Sequence, residues 1–120
     1  MFTKILLALA LGVSCSASTP WTTRDTCLET ACAAGITCEW AQMCSNASNG
    51  LVTCGIDAHI LDANPPRRRI NAYFIGWELA HPVISWVLPR PWRNVWQGAT
   101  IAFEIAVHQH NAAVGCRIHF

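Results

Sequence analysis

The 120-residue sequence predicts a small, mainly β fold: a disulfide-stapled β-sandwich or partly open barrel with one short N-terminal helix. Two observations carry that expectation. Apolar and polar residues alternate with a period of two in several short segments separated by turn formers, and cysteines crowd the first half of the chain. A third observation sets the alternative, because residues 94–111 are apolar almost all round as a helix, and a helix there would make the fold α+β.

The chain opens MFTKILLALALGVSCSAS, with Lys4, an apolar run from Ile5 to Val13, and the small residues Ser16, Ala17 and Ser18. This pattern predicts a secretory signal peptide over 1–18, since the apolar run falls well short of the ~20 residues that span a bilayer. Residues 19–120 then form a single secreted, extracellular domain. Its first element is a short helix from about 27 to 34, with Thr26 and Glu29 at capping-box spacing and Gly35 as its stop.

After Gly35 the period changes. In GITCEWAQMC, Ile36, Cys38 and Trp40 alternate with Thr37 and Glu39, and LVTCGIDAHIL repeats the alternation after the turn formers SNASNG. These predict a β-hairpin. RINAYFIGW and PVISWVL read as two further strands, the second bounded by Pro82 and Pro89. In ATIAFEIAVHQH, Ile101, Phe103, Ile105 and Val107 face one way and Glu104 and His108 the other, and VGCRIHF closes the sheet as a last hairpin strand.

Six cysteines follow the signal: Cys27, Cys32, Cys38, Cys44, Cys54 and Cys116. An even number in a short secreted chain predicts three disulfides of open connectivity, and their spacing fits no zinc pattern, so neither metal nor cofactor is expected. Asn46-Ala47-Ser48 is an N-glycosylation sequon, which places Asn46 on a surface loop. Residues 19–66 are net acidic and residues 67–120 net basic, a split that holds the two halves together.

Three groups of residues are candidates for function. The segment SWVLPRPWRNVW interleaves Trp86, Trp92 and Trp96 with Arg90 and Arg93, and such a mixture suits contact with a membrane interface, a glycan or a protein. On a strand, Glu104, His108 and His110 share a face that His119 joins across the closing turn, a set able to exchange protons in an RNase-like hydrolysis. Arg67, Arg68 and Arg69 follow Pro65-Pro66 in chain expected to be extended, where a secretory-pathway protease cuts at paired basic residues. Cutting there gives pieces 19–66 and 70–120, with Cys116 as the tether.

A signal peptide, a six-cysteine chain of about 100 residues and a dibasic site together resemble the small secreted cysteine-rich proteins of fungi, the effector and killer-toxin-like proteins. The resemblance implies a non-enzymatic protein acting on host or competitor cells through a cell-surface protein, glycan or membrane, here by way of the Trp/Arg surface. Nucleic acid is not an expected partner, because the domain carries no net basic charge. The secreted hydrolase is the alternative.

Overall fold

A computed structural model describes residues 20–50 and 57–113, and they form four α-helices. Helix α1 spans Thr23–Ser48, α2 Asp57–Leu61, α3 Arg67–Val87 and α4 Arg90–Ala113. No strand occurs among the described residues, so the β-sandwich or barrel is overturned in favour of a helical bundle. GITCEWAQMC lies inside α1, RINAYFIGW and PVISWVL both lie in α3, and ATIAFEIAVHQH is the body of α4. The hairpin strand LVTCGIDAHIL lies partly outside the described residues, and VGCRIHF wholly so.

The physical reason is that the apolar residues are a poor guide to this bundle's interior. In α4 the residues that repeat with helical spacing are polar: Arg93, Gln97, Thr100, Glu104, His108 and Asn111, separated by three or four positions. All six are buried or half-buried, whereas Val95, Phe103 and Ile105 are exposed. Alternating Ile and Phe therefore mark the outside of a helix, not the face of a strand. The same inversion holds in α1, where Asp25, Glu29, Glu39, Gln42 and Asn46 turn inward while Thr30, Ala31, Ala34, Cys38 and Ala41 turn outward.

Local signals fix the helix ends. Thr22 caps α1: its hydroxyl accepts from the Asp25 N–H, and the Asp25 carboxylate accepts from the Thr22 N–H at 2.7 Å. That reciprocal box satisfies two of the helix's unpaired donors one turn before the expected site. Gly35, expected to end a short helix, instead lies in the middle of 26 residues of it. Pro65 and Pro66 precede α3, whose first turn contains the three arginines. That stretch is helical rather than extended, and Arg69 bonds Asp62 at the end of α2. Pro82 sits inside α3 and removes one backbone hydrogen bond there.

Contacts define the topology. Trp40 of α1 bonds Asn71 of α3, Glu29 bonds His81 and Ser85, and Trp21 stacks on Trp86, so α1 and α3 run antiparallel. Asp25 faces Arg93, Cys32 faces Gln97 and Gln42 faces Asn111, so α1 and α4 run parallel. Helix α1 is thus the central element. Ile36, Met43, Leu61, Ile70 and Phe74 form a small apolar core near the start of α3, and the opposite half of the bundle is held together by polar contacts.

Cys27, Cys32, Cys38 and Cys44 all lie on α1 as free thiols, two exposed, one buried and one half-buried. No disulfide joins them; Cys54 and Cys116 lie outside the described residues. The straight helix explains this, because Cys27 and Cys38 share an outer face three turns apart, far beyond the ~6 Å Cα separation of a bridge. Asn46 belongs to the last turns of α1 with its side chain 6% exposed, so the sequon is not on a surface loop. The signal segment 1–18 lies outside the described residues.

Candidate functional site

The polar half of the bundle centres on Glu29, which α1 directs between α3 and α4. One carboxylate oxygen, Oε2, accepts from the Ser85 hydroxyl at 2.6 Å and the Gln97 amide at 2.9 Å. The other, Oε1, lies 2.6 Å from Nδ1 of His81. Three donors on one carboxylate are what a buried charge requires to stay ionised away from water. His81 is 2% exposed, stacks on Trp96 at 4.8 Å, and presents Nε2 to the Thr100 hydroxyl at 2.9 Å.

The resulting chain, Glu29 to His81 to Thr100, links acid, imidazole and hydroxyl in the order of a hydrolytic triad. A helix interior removes what such chemistry also needs. Thr100 sits mid-helix, its hydroxyl is 3.0 Å from the Trp96 carbonyl, and the surrounding backbone N–H groups are engaged in the helix, so no pair of them is left to hold an oxyanion. What remains is a proton-holding network. The Thr100 hydroxyl stands between the Trp96 carbonyl and Nε2 of His81, so one side chain links the α4 backbone to the imidazole.

Above this network Asp25 and Arg93 form a second buried unit, 0% and 1% exposed. The Arg93 guanidinium bonds the carbonyls of Ser85, Trp86 and Leu88 at 2.8, 3.4 and 3.2 Å, approaches the Asp25 carboxylate at 3.4 Å, and lies over the Trp21 ring. Arg93 thereby supplies donors to the last carbonyls of α3, which have no partner within their own helix.

Of the expected Trp/Arg surface, only part faces outward. Trp86 and Trp92 are exposed, Arg90 is half-buried and bonds the Pro20 carbonyl, and Arg93 and Trp96 point into the bundle. The expected catalytic face is divided as well. Glu104 is buried and His108 half-buried beside the Gly35 carbonyl, but His110 is exposed on another side of α4, and His119 lies outside the described residues. Arg67, Arg68 and Arg69 are all exposed. Sequence reasoning missed Asp25, Ser85, His81 and Gln97, and took Glu29 only as a helix cap; the signal for Asp25, Glu29 and Gln97 was the helical spacing of polar residues.

A cleft of about 420 Å³ opens between α3 and α4, where those two helices diverge across α1. Tyr73, Phe74, Trp77, Trp96 and Phe103 form its walls, and His81, Thr100, Glu39 and Glu104 its polar lining. Gly35 makes room for Glu104: a methyl group at Gly35 would stand 2.8 Å from Cγ of that side chain. On the other side of His81 a smaller cleft of about 290 Å³ is lined by Trp21, Glu29, Glu78 and Pro82. No group of three or more metal-ligating side chains occurs among the described residues.

No protein family, curated protein or solved structure matches this chain.

Proposed function

We propose that the bundle works within a lipid bilayer, as a non-enzymatic binding protein whose outer surface contacts acyl chains and whose polar seam is shielded inside. The observation that carries this reading is the segregation of charge. Among the described side chains, the exposed Asp, Glu, Lys and Arg residues are Arg24, near one end of the bundle, and Asp62, Arg67, Arg68 and Arg69, at the other. Between them, Glu29 and Glu78 are half-buried with their carboxylates in hydrogen bonds, and the remaining acids of the long helices are buried.

The belt between the ends is apolar. It includes Ile75, Leu79, Val83 and Val87 on α3 and Val95, Phe103 and Ile105 on α4. Leaving such a set in water forfeits on the order of 10 kcal/mol, as much as the whole stability of a small domain. A second protein copy would cover one side, but the exposed apolar residues follow the outward stripes of two helices, and beyond Arg24 in its first turn the outward stripe of α1 is made of Thr, Ala and Cys. Trp86 and Trp92 stand at the end that carries Arg24 and Arg90, as interfacial tryptophans do.

No helix among the described residues is long and apolar enough to cross a membrane. The inward residues of these helices are polar and lower the hydropathy of each helix taken as a whole. In an assembled bundle only the outward residues meet the surroundings, and ionisable residues in lipid face the bundle interior. At 1.5 Å per residue, the part of α3 after its three arginines, residues 70–87, is ~27 Å long, near the ~30 Å hydrocarbon thickness.

The test is flotation of the full chain with liposomes after an alkaline carbonate wash. The expected result is that the protein stays in the floating fraction until detergent is added. Release by carbonate or salt alone would reduce the contact to surface adsorption and overturn the proposal.

A further inference from the structure

We infer that Glu29, His81 and Thr100 pass protons along the bundle, from the cleft toward one of its ends to the cleft toward the other, so that the inserted protein conducts protons across the bilayer. The inference rests on the placement in lipid proposed above. Its own ground is where His81 stands. The imidazole lines both clefts and so forms part of the wall between them. The smaller cleft holds Glu29 and reaches Trp21, which stacks on Trp86 at the end of the bundle that carries Arg24. The larger holds Thr100 and reaches Ile60 of α2, beside the end that carries Asp62 and the arginine triplet. At about 290 and 420 Å³, each has room for several waters at ~30 Å³ apiece.

Between the clefts the polar contacts are continuous. Oε1 of Glu29 lies 2.6 Å from Nδ1 of His81, and Nε2 lies 2.9 Å from the Thr100 hydroxyl, both within direct proton-transfer reach. Imidazole suits the middle position, because it takes a proton on one nitrogen and gives one from the other. The Glu29 side chain keeps 13% of its surface exposed, so water in the smaller cleft can reach it. A proton from that water joins Glu29 and moves on to Nδ1. The proton on Nε2 then moves to the Thr100 oxygen, and the hydroxyl's own proton leaves to water in the larger cleft. Glu29 and Thr100 end as they began, and the imidazole ends with its proton on the other nitrogen. Reorientation of the ring, which exchanges the nitrogen facing Glu29, completes the cycle. The other acids along this path are Glu78 on the smaller cleft and Glu39 and Glu104 on the larger. Chains of Asp, Glu and His inside lipid-embedded bundles serve as such relays.

The experiment measures proton flux into liposomes that carry the full chain and enclose a pH-sensitive dye, driven by a potassium gradient with valinomycin. Flotation of the same vesicles reports insertion. The expected result is proton flux well above that of empty liposomes, with no matching sodium flux. His81→Gln and Thr100→Val are each expected to cut it about tenfold or more, whereas Thr100→Ser, which keeps the hydroxyl, and Cys38→Ser, on the exposed face of α1, leave it unchanged. Protein that floats yet conducts no more than empty liposomes overturns the inference and leaves the lipid placement standing; protein that does not float overturns both. Flux that survives in both His81→Gln and Thr100→Val, or that sodium shares, also overturns it. Where His81→Gln fails to insert, the contrast between Thr100→Val and Thr100→Ser decides.

Discussion

Arg93 shows how much one inward side chain can do. It closes the C-terminal end of α3, neutralises the buried Asp25 and packs on Trp21, so three elements depend on it. Arg93→Ala is expected to destabilise the solubilised protein by about 3–5 kcal/mol in chemical unfolding, because it removes the buried cation beside the Asp25 carboxylate and leaves several carbonyls without their donor. Arg93→Lys should not rescue it, since a single ammonium cannot reproduce the planar fork that reaches Ser85, Leu88 and Asp25 together. A lysine variant of full stability would show that charge alone matters. Glu29 is the second such residue. Glu29→Ala strands the Ser85 hydroxyl and one His81 nitrogen and leaves the Gln97 amide only its bond to the Asp25 carbonyl, and about 1–3 kcal/mol is expected for each group left unsatisfied. Full thermal stability of that variant would refute the role given to the network.

The glycines test the packing of the helices. Gly35 lies where α1 meets Glu104, and an added methyl group there enters contact distance. Gly76 and Gly98 lie mid-helix in α3 and α4 with nothing within 4 Å of an added methyl. Helix propensity alone favours alanine at all three by about 1 kcal/mol. Gly76→Ala and Gly98→Ala are therefore expected to raise the melting temperature, whereas Gly35→Ala lowers it, overpacking costing about 1–3 kcal/mol and outweighing the propensity gain. A rise at all three positions would show that Glu104 is free to move aside.

Legibility differed between elements for a related reason. A residue such as Ile105 reads as core on any rule that puts apolar side chains inside, yet it is 53% exposed, while Gln97 four helical positions from Arg93 is fully buried. Strands and helices were confused in α4 because almost every residue from Ala99 to Val107 is apolar or small, so a period-two pattern could be traced through it. The polar residues carried the unambiguous 3–4 spacing. Capping chemistry was readable in kind but displaced by one turn, from Thr26 and Glu29 to Thr22 and Asp25. The cleft was not readable, since it joins residues of all four helices that only the bundle's topology brings together.

For the molecule as a whole, the polar interior and apolar exterior are one fact seen from two sides. A polar seam gives the helices specific partners without a large apolar core, and in the proposed placement lipid around the bundle would remove the cost of its apolar outer stripes. On the proposed reading the exposed arginine triplet would lie at the head-group level, where anionic lipids would offset three like charges at a helix N-terminus, a position the helix dipole disfavours. Arg67, Arg68 and Arg69 changed together to Gln should weaken association with anionic vesicles and leave association with neutral vesicles unaltered, measured by flotation. Equal loss on both would remove the head-group role.

The most direct measurement is the accessibility of single spin labels in the liposome-reconstituted protein, placed by Leu79→Cys, Val83→Cys and Ile105→Cys in a background without other cysteines. Lipid-facing positions collide with dissolved oxygen and are shielded from a water-soluble nickel chelate. High oxygen and low nickel accessibility at all three, with the reverse at Arg68→Cys, is the expected result; nickel access along the belt equal to that at residue 68 would contradict the placement of this bundle in lipid.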